Sequence, residues 1–155
     1  MDSYALFESL QRTAVGVGIR QSVWLFPVIE AVHLVAFALL AGALLILDLR
    51  LLGLGLTAQA PSAVERQTRP WFIAGFGAMV ATGTLLFLSE AIKLHGKEAF
   101  WVKLTALAAA LVFTFTLRNP AARRDIRGAG AKAVALVSMA LWLTVAAAGR
   151  WIGFS

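Results

Sequence analysis

The sequence has no cysteine and only two histidines, His33 and His95. The lack of cysteine excludes disulfides, thiolate metal sites, iron–sulfur clusters and c-type haem attachment. A metal ion or cofactor would therefore have to be held by histidine, methionine, carboxylate or backbone groups.

Charged residues are also scarce, at 14% of the 155 residues, whereas 60% are hydrophobic. The mean hydropathy of +0.81 is typical of an integral membrane protein. The net charge of +6 does not indicate a nucleic-acid partner, because the lysines and arginines lie in loops and at the ends of apolar runs. There they orient the chain and contact anionic lipid, which we expect as its partner.

The first 20 residues contain acidic and basic side chains that interrupt any signal-peptide core. We therefore expect the first apolar run to remain in the protein. Tyr4, Phe7 and Leu10 recur at three-residue steps. This spacing predicts an amphipathic helix over residues 3–16 on the membrane surface, ended by Gly16 and Gly18.

Four apolar runs are long enough to cross about 30 Å of hydrocarbon. They predict an all-α integral membrane protein, with a single domain over residues 1–155 and an antiparallel four-transmembrane-helix bundle. The N-terminal amphipathic interfacial helix precedes the bundle. The predicted spans are residues 23–47, 71–92, 99–117 and 133–152.

The distribution of Lys and Arg predicts the orientation. We call side A the membrane side with both termini and the turn at 93–98, and side B the side with the other two loops. Of the 14 Lys and Arg residues, six fall on side A and eight on side B. The excess on side B predicts that side B faces the cytoplasm of a bacterial inner membrane.

Five ionisable residues from all four spans fall in the half of the bundle near side A: Glu30, His33, Glu90, Lys103 and Arg150. At 1.5 Å per residue from Trp24, Glu30 lies about 9 Å and His33 about 13 Å into the bilayer. The other half has Asp48, Arg50 and Arg118, which we place at its rim. Because charge within a membrane is costly and usually faces a partner, this asymmetry predicts a polar site near side A.

Glu30 and His33 lie three residues apart on one helical face. Glu-x-x-His is half of a di-iron motif, but the chain has one copy where two are needed. Three interpretations of His33 remain open. It is a core histidine bonded across helices, an axial ligand to b-type haem, or a proton relay or metal ligand with Glu30 and Glu90.

A six-coordinate haem would need a second ligand. Within the chain the candidates are Met79 and His95. Two chains donating one His33 each across a twofold axis would also supply the pair, so we expect a homo-oligomer or a larger membrane complex.

Lys103 and Arg150 have two interpretations. They snorkel to the interface, or they bind anionic groups such as haem propionates or the head group of a lipid or quinone.

The run SVWLFPVIEAVHLVAFALLAGALLILDLRLLGL, with EAFWVKLTALAAALVFTF and AAAGRWIGF, resembles a group of uncharacterised bacterial four-span inner-membrane proteins. More remotely, His33 in the first span and Lys103 early in a later span are similar to the CopD-like copper-resistance membrane proteins and the HemJ-type protoporphyrinogen oxidases. These resemblances imply copper handling or b-haem redox chemistry in a four-helix bundle, although the chain lacks a second deep histidine.

The sequence therefore predicts a small membrane protein that binds b-type haem near side A, for electron transfer or a quinone-linked redox step. The alternative is a non-enzymatic accessory subunit, or a small metal-ion or proton transporter that uses the same polar cluster. Whether the protein is an enzyme stays open.

Overall fold

The computed structural model describes residues 3–154, which are helical apart from the connections between helices. The chain order is α1 (Ser3–Gln11), α2 (Ala14–Gln21), α3 (Leu25–Leu52), α4 (Pro61–His95), α5 (Glu98–Phe113), a π-helical turn (Thr114–Arg118), α6 (Asn119–Arg123) and α7 (Ala129–Ile152).

Among the described residues, four helical segments are long and apolar enough to cross a membrane. They are α3, α4, the continuous segment from α5 to α6, and α7, which confirms the predicted number of membrane-length apolar helices. α4 begins about ten residues before the predicted span, because the charged stretch that follows Pro61 is helical too. Such a segment extends the bundle past the hydrocarbon on side B.

The N-terminal segment forms two short helices instead of the single helix predicted over residues 3–16. Thr13 separates them, because its hydroxyl accepts a hydrogen bond from the amide of Gly16 at 3.3 Å and so caps α2. Gly16 and Gly18 therefore lie inside α2 and do not end the first helix. The first helix ends where Thr13 caps α2, and the two glycines do not interrupt α2.

These two helices support a kink in α4, where Glu90 has non-helical dihedral angles. Arg20 donates to the freed carbonyl of Ser89 at 3.1 Å, and Gln11 accepts from the amide of Ile92 at 2.8 Å. Backbone groups released by a kink inside a membrane need such partners. The N-terminal helices therefore pack on α4 and stabilise its bend.

The spanning helices pack in two antiparallel pairs, α3 with α4 and α5 with α7, and α3 also contacts α7. Gly75 allows the closest approach in the first pair, since a Cβ there would lie 2.9 Å from the backbone nitrogen of Leu40. Small residues let helices pack by dispersion in lipid. The central core draws on all four spans: Leu40, Ala43, Leu44, Phe72, Ala110, Trp142 and Val145.

The half of α3 near side A is much less covered than the other half. The buried residues of α3 begin at Ala36 and continue to Leu51. Most residues before Ala36, including Val28, Val32 and Val35, are exposed. The first half of α3 thus presents an open face beside the predicted site.

Candidate functional site

His33 is half-buried on α3 and packs against α4. Its Nδ1 lies 2.7 Å from the hydroxyl oxygen of Thr82. A Cβ at Gly83 would lie 3.3 Å from its Cε1, so the ring fits because position 83 is glycine. Thr82 and Gly83 together fix the position of the imidazole ring.

The hydrogen bonds around Thr82 also determine the tautomer of His33. A threonine hydroxyl has one hydrogen, and that of Thr82 is donated to the carbonyl of Ala78 at 2.6 Å. The oxygen of Thr82 therefore accepts from His33, whose Nδ1 carries the proton. In the neutral ring this leaves the lone pair of Nε2 unused, which is the arrangement that metal-bound histidines adopt.

Lys103 on α5 is half-buried and lies beside α7. Its Nζ is 3.5 Å from the position of a Cβ at Gly149, and it interacts electrostatically with His33. It forms no ion pair with any acid among residues 3–154. His33 and Lys103 belong to different helix pairs and lie near enough for their charges to interact, and their joint role in a site stays a prediction.

The other three predicted residues are not joined to this pair. Glu90 lies at the kink and pairs with Lys93 on its own helix at 3.2 Å. The guanidinium of Arg150 stacks on the ring of Phe154 at 4.4 Å. Glu30 is exposed and makes no ion pair with the described residues.

The two intrachain candidates for a second ligand have other partners. Met79 packs against the central core. His95 lies 3.2 Å from the hydroxyl of Ser3 and packs edge-on against Phe7, with ring centroids 4.7 Å apart. Among residues 3–154, no three His, Asp or Glu side chains are grouped so that they could hold a metal ion.

A cluster of buried, hydrogen-bonded polar side chains lies in the half of the bundle near side B. Asp48 and Arg118 are 1% and 3% exposed, and Oδ1 of Asp48 accepts from Nε of Arg118 at 2.6 Å. Ser138 on α7 donates to the second oxygen of Asp48 at 2.9 Å. Arg118 also donates to the carbonyl of Leu44 at 2.7 Å and to the side chain of Asn119 at 3.2 Å.

The π-helical turn before α6 belongs to this group. It ends at Arg118 and begins at Thr114, whose hydroxyl accepts from the indole of Trp142 at 3.1 Å. A π-helical turn adds one residue within a turn and so changes which side chains face inward. The turn thereby directs both Thr114 and Arg118 into the bundle.

The sequence placed Asp48 and Arg118 at the rim of side B and did not predict that they are buried between helices and paired. Depth along a straight span does not show which face a side chain occupies, and the π-helical turn was not visible in the apolar pattern. The sequence did contain one indication of this pairing. One acid in the first span and one base in the third fall at similar depth, and their charges balance.

The arrangement separates two kinds of polar residue. The group of Asp48, Arg118 and Ser138 is closed, because the bonds above engage each of these side chains. The pair of His33 and Lys103 is open, since Nε2 and the ammonium have unused bonding capacity. The open pair is the candidate functional site.

One family model matches residues 18–155, and its description is "Family of unknown function (DUF6644)". Neither a curated protein nor a solved structure matches the chain. The likeness to CopD-like and HemJ-type proteins stays a prediction. The match covers nearly the whole chain, all four spanning helices included, and the protein therefore belongs to this family of unknown function, DUF6644.

Proposed function

We propose that the protein is a bacterial inner-membrane protein that binds b-type haem through Nε2 of His33, for electron transfer or a quinone-linked redox step. The observation that carries the proposal is the hydrogen bond from His33 to Thr82, which leaves Nε2 as the free ring nitrogen. A histidine that binds haem iron has its ring orientation fixed by a hydrogen bond at one nitrogen and offers the other nitrogen to the metal. The haem would supply one-electron redox chemistry.

The second axial ligand in this proposal is His33 of a second copy. Glu30 is exposed on the uncovered half of α3, close to His33, without a partner among residues 3–154. A carboxylate at about this depth is costly unless it faces protein or water. A twofold contact along this half of α3 would cover Glu30 and bring two His33 side chains together.

Lys103 has a separate role in the proposal. Its ammonium approaches His33 from α5 and has no carboxylate partner among the described residues. It would bind an anionic group such as a propionate. Arg150 stacks on Phe154 and is exposed, so it would bind such a group only from the surface.

Absorbance spectroscopy of protein purified in mild detergent, with haemin titrated in, tests this proposal. A Soret band that is lost in His33→Ala and kept in His95→Ala supports it. A low-spin spectrum in a dimeric species supports the shared ligand, and a high-spin spectrum in a monomer contradicts it. Protein that is colourless and takes up no haemin overturns the haem proposal, and colour that persists in His33→Ala overturns the ligand.

A transporter that uses both halves of the bundle is disfavoured by the central core. Its apolar side chains lie on α3 between His33 and Asp48 and fill the space between the two polar groups. A path for protons or metal ions would need polar groups or water there. An accessory subunit without cofactor remains the alternative, and the colourless outcome above would favour it.

The orientation is part of the same proposal. The arginine-rich loop after the third span supports a cytoplasmic side B, which places both chain ends in the periplasm. A reporter fused after Ser155 should be active only if it is periplasmic. A cytoplasmic signal from that fusion would reverse the orientation.

A further inference from the structure

A second polar feature lies at side B, outside the proposed haem site. It is an open cleft of about 260 Å³ between the end of α3, the start of α4 and the loop before α7. We name it the basic cleft. Its lining residues are Arg50, Leu51, Leu52, Gly53, Thr57, Pro61, Ile126, Arg127, Gly128 and Lys132.

Arg50 is the buried cation of the basic cleft and is only 7% exposed. Its Nε donates to the carbonyl of Gln59 at 2.5 Å, which holds the guanidinium in place. Its two terminal amino groups make no hydrogen bond with residues 3–154. Solvent reaches these nitrogens in the cleft, where an anion can accept hydrogen bonds from them.

The charges around Arg50 leave the cleft positive. Arg127 and Lys132 also line it, and one carboxylate, that of Asp125, interacts electrostatically with Arg50 and Arg127. Both oxygens of Asp125 are engaged by Ser62, at 2.9 Å from its amide and 3.1 Å from its hydroxyl. Three cations face one carboxylate that already has partners, so an anion is favoured in the cleft.

The start of α7 adds backbone donors. Gly128, which lines the cleft, is the N-cap of this 24-residue helix, and no side chain caps it. The first amides of a helix therefore remain free to donate, and the helix dipole favours negative charge there. The left-handed φ of +79° at Gly128 requires glycine at this turn.

We propose that the basic cleft binds a phosphate group through Arg50, Lys132 and the first turn of α7. Its volume is below the roughly 300–1,000 Å³ of sites for drug-sized ligands, so it suits a small anionic head group. It lies where α3 ends, and the end of a membrane-spanning helix falls at the level of lipid head groups. The phosphate would come from an anionic lipid or from a soluble phosphorylated compound.

The test uses the full chain in nanodiscs of phosphatidylcholine, with either phosphatidylglycerol in the bilayer or inorganic phosphate in the buffer. Thermal unfolding and native mass spectrometry report binding. We expect a saturable rise in the unfolding temperature that weakens at least about tenfold in apparent affinity in Arg50→Gln. Arg66→Gln removes the same charge from an exposed position outside the cleft and should leave the affinity unchanged.

Lys132→Gln provides an independent variant, because Lys132 is exposed and its loss leaves the fold intact. A response to phosphatidylglycerol alone identifies a lipid, and a response to phosphate alone identifies a soluble ligand. If neither ligand binds, or if Lys132→Gln binds as tightly as Arg66→Gln, the proposal is wrong. A negative result for phosphate binding leaves the haem proposal unaffected, because haem binding is tested separately by the Soret band.

Discussion

The ionisable residues in the two halves of the bundle differ in their burial and in their hydrogen bonding. Near side B, Asp48 and Arg118 are almost fully buried and bonded to one another and to three further groups. Near side A, His33 and Lys103 are half-buried, and Glu30 is exposed. A closed polar network can specify helix packing, whereas polar groups with unused bonding capacity need a ligand or a second chain.

The largest expected effect is on the closed network. Asp48→Ala leaves the guanidinium of Arg118 buried without its carboxylate, so we expect a loss of about 3–5 kcal/mol in the free energy of unfolding. Reversible unfolding in detergent measures it. In monomeric protein Glu30→Ala removes the same charge near side A from an exposed position and should cost less than about 0.5 kcal/mol. Equal effects of the two variants would contradict the contrast between the halves.

The close contact of α3 with α4 gives the next effect. Gly75→Ala would place a methyl group 2.9 Å from the backbone nitrogen of Leu40, which cannot move without moving α3. We expect a loss of about 1–3 kcal/mol in stability by thermal unfolding. Gly77→Ala is the control, because nothing lies within 4 Å of that position. If both variants are equally stable, the helices approach each other elsewhere.

The bond between His33 and Thr82 should contribute less. Hydrogen bonds between membrane helices average about 0.6 kcal/mol and reach about 1.7. A double-mutant cycle with His33→Ala and Thr82→Val should give a coupling energy in this range. If the protein binds haem as proposed, Thr82→Val should also broaden or shift the Soret band, because the imidazole loses its fixed orientation. A coupling energy of zero would contradict the hydrogen bond between His33 and Thr82.

The smallest effect concerns Asp125, which lies in the loop at side B. The amide and hydroxyl of Ser62 hold the pKa of its carboxyl below its usual value. Because the folded pKa is lower than the unfolded one, this contact stabilises the protein above about pH 4. The contribution is lost as pH falls through the folded pKa. Stability measured between pH 3 and 6 should depend less on pH in Asp125→Asn, and an unchanged slope would contradict the contact.

Some features of the site were predictable because they depend on spacing along one helix. The number of membrane-length helices followed from the length of the apolar runs. Lys103 and His33 were expected in the same half of the bundle from their similar depth, and their joint role in a site stays a prediction. Depth is set by the rise per residue, which is the same for every helix.

Other features depend on rotation about the helix axis, which depth does not give. Glu90 and Arg150 were predicted to join the site from their depth, but in the structure they contact Lys93 and Phe154. Long side chains on an exposed face reach a neighbour on their own helix before they reach another helix. The predicted cluster of five is therefore a pair.

The sequence by itself determined that the protein has four membrane-length helices, few charges and no thiol chemistry, because hydropathy and residue type act along the chain. The tertiary structure alone decided which charges are satisfied. Asp48 is paired because a π-helical turn directs Arg118 inward, and His33 has a free nitrogen because Thr82 on α4 occupies the other one. Such pairings join residues about 50 to 70 positions apart, so only the packing of helices creates them.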